Sequence, residues 1–97
     1  MVYLIRRAVI TGDWGKMEEA AKGLLDCWAR QPQTKGVEAW GNIAGPIAEY
    51  RFVAKFDSLA DEEQFSIGLM KDPSFGKAMM AFAEVFRMED DQLIRVM

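Results

Sequence analysis

The segment from Lys35 to Phe56, KGVEAWGNIAGPIAEYRFVAKF, decides the fold of this chain. It contains two runs, Lys35 to Asn42 and Ile47 to Phe56, in which apolar and polar side chains alternate as they do in half-buried β-strands. Gly45 and Pro46 separate the two runs and favour a turn. The segment therefore predicts two neighbouring strands in the middle of the chain.

A further strand and a helix are predicted before this segment. Tyr3 to Ile10 is rich in β-branched and aromatic residues, which is typical of a strand. After Asp13, a residue suited to cap a helix, apolar residues recur every three or four positions from Trp14 onward, and Pro32 ends this pattern. The spacing predicts a helix that places both Trp14 and Trp28 in the core.

A second helix and a last strand are predicted after the central segment. Ser58 to Asp61 is a capping signal, and the helix that follows is interrupted at Asp72-Pro73, where Asp72 caps a new segment and Pro73 takes its first position. We interpret Glu89-Asp90-Asp91 as a short acidic turn and Leu93 to Val96 as the last strand.

This order of elements, βαββαβ, predicts an α+β fold of the ferredoxin-like type. We expect one domain over residues 1–97, with a four-stranded antiparallel sheet and two helices on one face. The length fits a single domain, and 51% hydrophobic residues argue against disorder.

Composition excludes several classes of function. The net charge of −3 is not that of a nucleic-acid-binding protein, and no apolar run is long enough to span a bilayer. The apolar start of the chain precedes Arg6 and Arg7, the reverse of a secretion signal, so we expect a cytoplasmic protein without nucleic-acid or membrane partners. Histidine is absent and Cys27 is the only cysteine, so we expect no metal site, no cofactor and no histidine-based catalysis.

The alternation along the strands predicts one apolar face covered by helices and one face without helices. We call the second the mixed face: it is the side of the sheet that carries Tyr3, Arg7, Trp40, Arg51 and Lys55. The register of the first strand is not decided by its pattern; we place Tyr3, Ile5, Arg7 and Val9 on the mixed face. Because exposed aromatic side chains forgo several kcal/mol of burial, on the order of 25 cal/mol per Å² of apolar area, we expect a second copy to cover this face and form a homodimer.

The mixed face also holds the candidate binding residues. Guanidinium groups pair bidentately with carboxylates and stack on aromatic rings, so arginines and aromatic residues together suit a planar organic anion. A plainer interpretation is that the arginines pair with Glu38 and Glu49 or reach solvent. The candidate ligand-binding residues are Tyr3, Arg7, Trp40, Asn42, Arg51 and Arg95.

The chain resembles the dimeric α+β barrel superfamily, in its antibiotic-biosynthesis monooxygenase-like and NIPSNAP-type forms. The resemblance rests on the order of elements and on two steps into helices, Phe56 to Glu63 and Asp72 to Phe75. It implies a ferredoxin-like domain whose sheet pairs with that of a second subunit to form a barrel. Members of this superfamily include cofactor-free monooxygenases of quinol-like compounds, lactone isomerases and haem-degrading enzymes.

Two functions stay open from the sequence. The first is a small-molecule-binding barrel, with cofactor-independent oxygenation or isomerisation of an aromatic or enolic compound as its activity and Tyr3, Trp40, Asn42 and Arg51 positioning the substrate. The second is a non-catalytic homodimeric binding or structural module. The sequence identifies no catalytic residue and does not decide whether the protein is an enzyme.

Overall fold

The computed structural model describes residues 1–97, and its strands and helices follow the predicted order. The strands are β1 (Val2–Ile10), β2 (Val37–Gly41), β3 (Glu49–Phe56) and β4 (Phe86–Arg95). The helices are α1 (Met17–Ala29), α2 (Leu59–Lys71) and α3 (Pro73–Val85), and a short 3-10 turn (Trp14–Lys16) leads into α1. None of the helices combines the length and the apolarity needed to cross a bilayer.

The four strands form one antiparallel sheet in the order β2-β3-β1-β4. This is the strand order of a ferredoxin-like fold, and it confirms the predicted α+β class. The two inner strands are β3 and β1, so the side chains at the centre of the mixed face come from these two strands.

The helices cover one face of the sheet and enclose an aromatic core. Its largest fully buried side chains are Trp28 from α1, Phe52 and Phe56 from β3, Phe65 from α2 and Phe82 from α3. Several of these rings meet edge to face; the Phe56 and Phe65 centroids, for example, lie 4.8 Å apart. Such pairs add to the stability that their buried area provides.

Side chains at the predicted positions cap the helices. Ser58 Oγ accepts the backbone N–H of Asp61 at the start of α2. Asp72 Oδ1 accepts the backbone N–H of Ser74 at the start of α3, with Pro73 at the first helical position. The predicted interruption of the second helix is therefore confirmed, because Pro73 has no N–H to continue α2.

The register of β1 is the one that we expected. Ala8 and Ile10 belong to the buried core cluster, which places Tyr3, Ile5, Arg7 and Val9 on the mixed face. Each of these four residues lies directly opposite a mixed-face residue of β3; Arg7, for example, lies opposite Arg51.

Two predictions about local structure were wrong. The residues interpreted as an acidic turn, Glu89 to Asp91, lie inside β4, which begins at Phe86 and not at Leu93. Asp90 and Asp91 can occupy a strand because they lie opposite Arg7 and Arg6, and Glu89 is the extra residue of a β-bulge. Trp14 lies in the 3-10 turn before α1 and is 52% exposed, so Trp28 is in the core and Trp14 is not.

Candidate functional site

The mixed face divides into an apolar half and a charged half along the direction of the strands. Directly paired residues of β3, β1 and β4 show the division: Val53, Ile5 and Gln92 form one level, and Arg51, Arg7 and Asp90 form the next. Beyond the first level lie Lys55, Tyr3 and Ile94, and beyond the second lie Glu49, Val9 and Arg87. The apolar half is therefore centred on Tyr3, Ile5, Val53 and Ile94.

A carboxylate binds the two arginines of the charged half together. Glu49 Oε1 lies 2.8 Å from Arg51 Nη2, and Glu49 Oε2 lies 3.7 Å from Arg7 Nη1. The Glu49 side chain is only 15% exposed, so it is held between these two guanidinium groups rather than in solvent. The two like charges, which would repel each other across the strands, are in this way stabilised side by side.

Asp90 completes the charged half from the edge strand β4. Its carboxylate accepts a hydrogen bond of 3.0 Å from Arg7 Nη2. This hydrogen bond and the charge of Asp90, with a smaller contribution from Glu49, raise the pKa of Arg7 above its ordinary value. Arg7 is therefore a permanent cation that already has two anionic partners.

Arg51 lies between this cluster and a second group formed by Trp40 and Asn42. Trp40 on β2 lies directly opposite Arg51, and Trp40 is 41% exposed. Asn42 Nδ2 donates to the Pro46 carbonyl at 2.7 Å, and Asn42 Oδ1 accepts from Arg51 Nη1 at 3.5 Å. The first contact fixes the Asn42 amide, and the second is long enough for Arg51 to exchange it for a stronger acceptor.

The indole of Trp40 and the ring of Tyr3 also have charged neighbours. Trp40 Nε1 donates to Glu38 Oε1 at 3.0 Å, and the same carboxylate lies 3.4 Å from Lys55 Nζ. Lys55 Nζ in turn lies 5.4 Å from the centroid of the Tyr3 ring, within the range of a cation–π contact. The plainer interpretation, that the arginines pair with Glu38 and Glu49, is thus confirmed for Glu49. It was wrong for Glu38, whose ion-pair partner is Lys55.

The structure brings together four of the six residues predicted as a binding site. Arg7, Trp40, Asn42 and Arg51 form one contiguous group. Tyr3 is on the same face but four residues along β1 from Arg7, which is about 13 Å at roughly 3.3 Å per residue. It lines the apolar half and does not reach the arginines.

The prediction that Arg95 lies on the mixed face was wrong. Arg95 is paired with Val2 and Leu93 with Leu4, so both lie on the side of the helices, whereas Ile94 lies opposite Tyr3 on the mixed face. The sequence pattern was misleading here because Leu93 is 49% exposed and Ile94 is 42% exposed, so hydrophobicity does not distinguish the two faces at this end of β4.

The residues that the sequence prediction missed are the acidic partners on β4. Asp90 pairs with Arg7, and Asp91 with Arg6 on the other face. A signal for this pairing is present in the sequence, because the acidic run Glu89-Asp90-Asp91 and the basic pair Arg6-Arg7 are blocks of opposite charge on strand-forming segments.

A separate polar cluster joins the end of α1 to the start of α3. Arg30 Nη2 donates to Cys27 Sγ at 3.1 Å and also contacts the Ser74 hydroxyl and, at 3.5 Å, Asp72 Oδ2. The neighbouring Cys27 sulfur above all, and then Asp72, raise the pKa of Arg30. Hydrogen bonds from the Ser74 side chain and backbone, assisted by Arg30, lower the pKa of Asp72.

Comparison with known proteins supports the fold. No protein-family model matches the chain, and no curated protein is detectably similar to it. Among solved structures, SnoaB from Streptomyces nogalater, described as a cofactor-independent oxygenase, is similar with a TM-score of 0.79 and 16% identity over 99% of this chain and 92% of that one. A NIPSNAP domain protein from Burkholderia xenovorans has a TM-score of 0.75 and 17% identity over 100% and 95%. An antibiotic biosynthesis monooxygenase-like protein from Chloroflexus aurantiacus has a TM-score of 0.71 and 13% identity over 100% and 94%. These likenesses confirm the fold that the resemblance implied.

Proposed function

We propose that this protein is a homodimeric α+β barrel that binds a small planar organic anion on its mixed face. The observation that carries the proposal is the position of Arg51, which lies on the helix-free face of the sheet directly opposite the half-exposed Trp40. A guanidinium and an aromatic ring at adjacent positions offer hydrogen bonds to a carboxylate and a stacking surface for the ring that bears it.

The dimer is supported by the division of the mixed face into two halves. If the two-fold axis runs parallel to the strands, each level of the sheet meets the same level of the partner. The apolar half around Ile5 and Val53 then packs on its own copy, and the charged half lies against a charged half. An axis across the strands would instead place Tyr3 and Ile94 on Arg7 and Glu49, which would bury charges against apolar side chains. The first arrangement pairs β2 of one copy with the neighbourhood of β4 of the other.

The anion is bound by the hydrogen bonds that Arg51 has left over. A guanidinium has five N–H groups, and Glu49 and Asn42 engage the two terminal nitrogens of Arg51. A ligand carboxylate can replace the long contact with Asn42 and accept the remaining donors. Its ring then lies on Trp40 and extends towards Ile5 and Tyr3 in the apolar half.

The activity that fits such a ligand is cofactor-independent oxygenation or isomerisation of an aromatic or enolic compound. Arg51, Trp40 and Asn42 would orient the substrate, and the electrons that reduce oxygen would come from the substrate itself. The likeness in fold to SnoaB, a cofactor-independent oxygenase, supports this choice over other reactions.

A second candidate is a non-catalytic homodimeric module. It is favoured by the complete pairing of charges in the charged half, where Glu49 and Asp90 together occupy Arg7 and Glu49 occupies Arg51. In that case the same residues keep the strands in register and stabilise the dimer, and no ligand displaces their ion pairs.

One experiment tests both candidates. We expect light scattering after gel filtration to show a dimer, and 2-naphthoate to quench tryptophan fluorescence while 2-naphthamide, the uncharged analogue, does not. Arg51→Ala should weaken 2-naphthoate binding about tenfold or more, because charge-assisted hydrogen bonds contribute roughly 1.5–3 kcal/mol. Arg95→Ala is the matched control and should leave the affinity unchanged.

The possible outcomes separate the candidates. A dimer that binds neither compound would support the non-catalytic module. A stable monomer at micromolar concentration, or equal affinities of the wild type and Arg51→Ala for 2-naphthoate, would refute the proposed binding site.

A further inference from the structure

A cleft at the edge of the sheet, which reaches the mixed face only through Ile94, lies where β1 begins, β4 ends and α2 starts. Its volume is about 210 Å³, and its lining consists of Val2, Leu59, Leu93, Ile94 and Arg95. Four of these five residues are hydrophobic, so the cleft is an apolar hollow with a single charged group. It is separate from the Arg51 group, because Arg95 lies on the helix side of the sheet.

Arg95 differs from the other five arginines of the chain in having no carboxylate partner. Each of the others has an acidic oxygen within ion-pair distance: the pairs are Arg6–Asp91, Arg7–Asp90, Arg30–Asp72, Arg51–Glu49 and Arg87–Glu89. In a protein with more acidic than basic residues, this pattern leaves one guanidinium with its full charge available. That guanidinium belongs to the residue that lines the apolar cleft.

We infer that this cleft is a binding site for a short apolar carboxylate, with Arg95 pairing with the carboxylate and Val2, Leu59, Leu93 and Ile94 enclosing the hydrocarbon. The volume of about 210 Å³ is below the roughly 300–1,000 Å³ of a typical small-molecule pocket, so it limits the ligand to a small molecule. A straight-chain acid of about six carbons, with its carboxylate at the rim, fills such a space.

The acidic start of α2 determines how the ligand lies. Leu59 is the first residue of α2, and a helix start attracts anions when its N–H groups are free. Here Asp61 and Glu62 occupy the first turn, and Ser58 already accepts the N–H of Asp61. These groups repel a further anion, so the carboxylate is directed to Arg95 and the hydrocarbon to Leu59.

The test is a titration of the full chain with hexanoate, followed by NMR of the methyl groups of Val2, Leu59, Leu93 and Ile94. Hexanoate should shift these methyl signals with an affinity in the millimolar range, and hexanamide, which lacks the charge, should bind more weakly. Arg95→Ala should weaken hexanoate binding about tenfold or more, the effect of losing a charge-assisted pair. Arg95→Lys should retain part of the affinity.

Two variants serve as controls. Arg87→Ala removes an arginine from the same strand that is paired with Glu89 and does not line the cleft, so its affinity for hexanoate should equal that of the wild type. Leu59→Trp should block the cleft and abolish binding while Arg95 is intact; Leu59 is 44% exposed, so the larger side chain does not disturb the core.

The inference is overturned if hexanoate shifts methyl groups elsewhere in the chain, or if Arg95→Ala and Arg87→Ala bind it equally well. Arg51→Ala should not affect hexanoate, and Arg95→Ala should not affect 2-naphthoate. Failure at one site therefore leaves the result at the other site unchanged.

Discussion

Arg6 is the one arginine that the fold places among the core side chains, and its ion pair should respond asymmetrically to mutation. Its side chain is 14% exposed, and it donates two hydrogen bonds of 2.9 Å to Asp91, which is 44% exposed. The guanidinium also lies 5.5 Å from the centroid of a Trp28 ring and 3.8 Å from Met79 Sδ. The Arg6 guanidinium is thus nearly buried, whereas the Asp91 carboxylate is partly exposed to solvent.

Asp91→Ala should therefore cost more stability than Arg6→Met. The first change leaves a nearly buried guanidinium without its carboxylate, which we expect to cost about 2–3 kcal/mol. The second leaves a carboxylate that water can solvate and puts a thioether against Trp28 and Met79, so the expected cost is about 1 kcal/mol or less. The stability of the double variant should be close to that of Arg6→Met alone, because the double variant no longer contains an unpaired guanidinium.

The measurement is urea unfolding at a fixed protein concentration, with the midpoint and the slope compared among the four proteins. An unchanged slope shows that the midpoint reports stability rather than a change in the unfolded state. If Arg6→Met is destabilised as much as Asp91→Ala, the guanidinium is not held in the core as the distances indicate, and the argument from enclosure fails.

Two further predictions concern the backbone and pH. Gly12→Ala should destabilise the protein by about 1–3 kcal/mol because its new methyl group would overlap the carbonyl oxygen of Glu84, whereas Gly23→Ala, in open space inside α1, should stabilise it by up to about 1 kcal/mol; thermal unfolding compares the two, and equal effects would contradict the structure. The lowered pKa of Asp72 means that its contribution to stability is present above its ordinary pKa of about 3.9 and is lost as the pH falls through the lower, folded value. Asp72→Asn, which keeps a capping side chain, should therefore lose less stability than the wild type on acidification below pH 4, as measured by unfolding temperature, and parallel curves would show that Asp72 carries no such linkage.

The sequence predicts those parts of the fold where the pattern and the tertiary environment agree. Along β3, alternate residues from Tyr50 to Phe56 face the helices, and two of the three residues between them, Arg51 and Lys55, are charged, so the strand and its two faces could be assigned directly. At β4 the two sources of information disagree. Phe82 and Phe86 continue the helical spacing of α3, and the acidic run after them is unfavourable in an isolated strand. Only the pairing with Arg6 and Arg7 makes that run part of the sheet, and such pairing is a property of the tertiary structure.

The same reasoning explains which site residues could be predicted. Trp40 and Arg51 lie on strands whose alternation is clear, so their common face followed from the pattern. The face of Arg95 depends on the register between β4 and β1, and a shift of one residue in register exchanges the two faces of a strand. The β-bulge at Glu89 sets this register, and the sequence pattern near Arg95 gives no sign of the bulge.

The two proposed arginine sites would bind anions for different physical reasons. In the charged half of the mixed face, Arg7 and Arg51 are balanced by Glu49 and Asp90, so the group has no net charge to attract a ligand from a distance. Its side chains are ordered in advance: Glu49 holds Arg51 in place before a ligand arrives, so little conformational entropy is lost on binding. Discrimination between ligands must then come from geometry and from stacking on Trp40. Arg95 has the opposite properties, because its charge is uncompensated and no ion pair fixes its side chain. Affinity in the cleft must therefore come from the charge of Arg95 and from the burial of hydrocarbon. The Arg51 group would accordingly select its ligand by shape, and the Arg95 cleft would select its ligand by chain length.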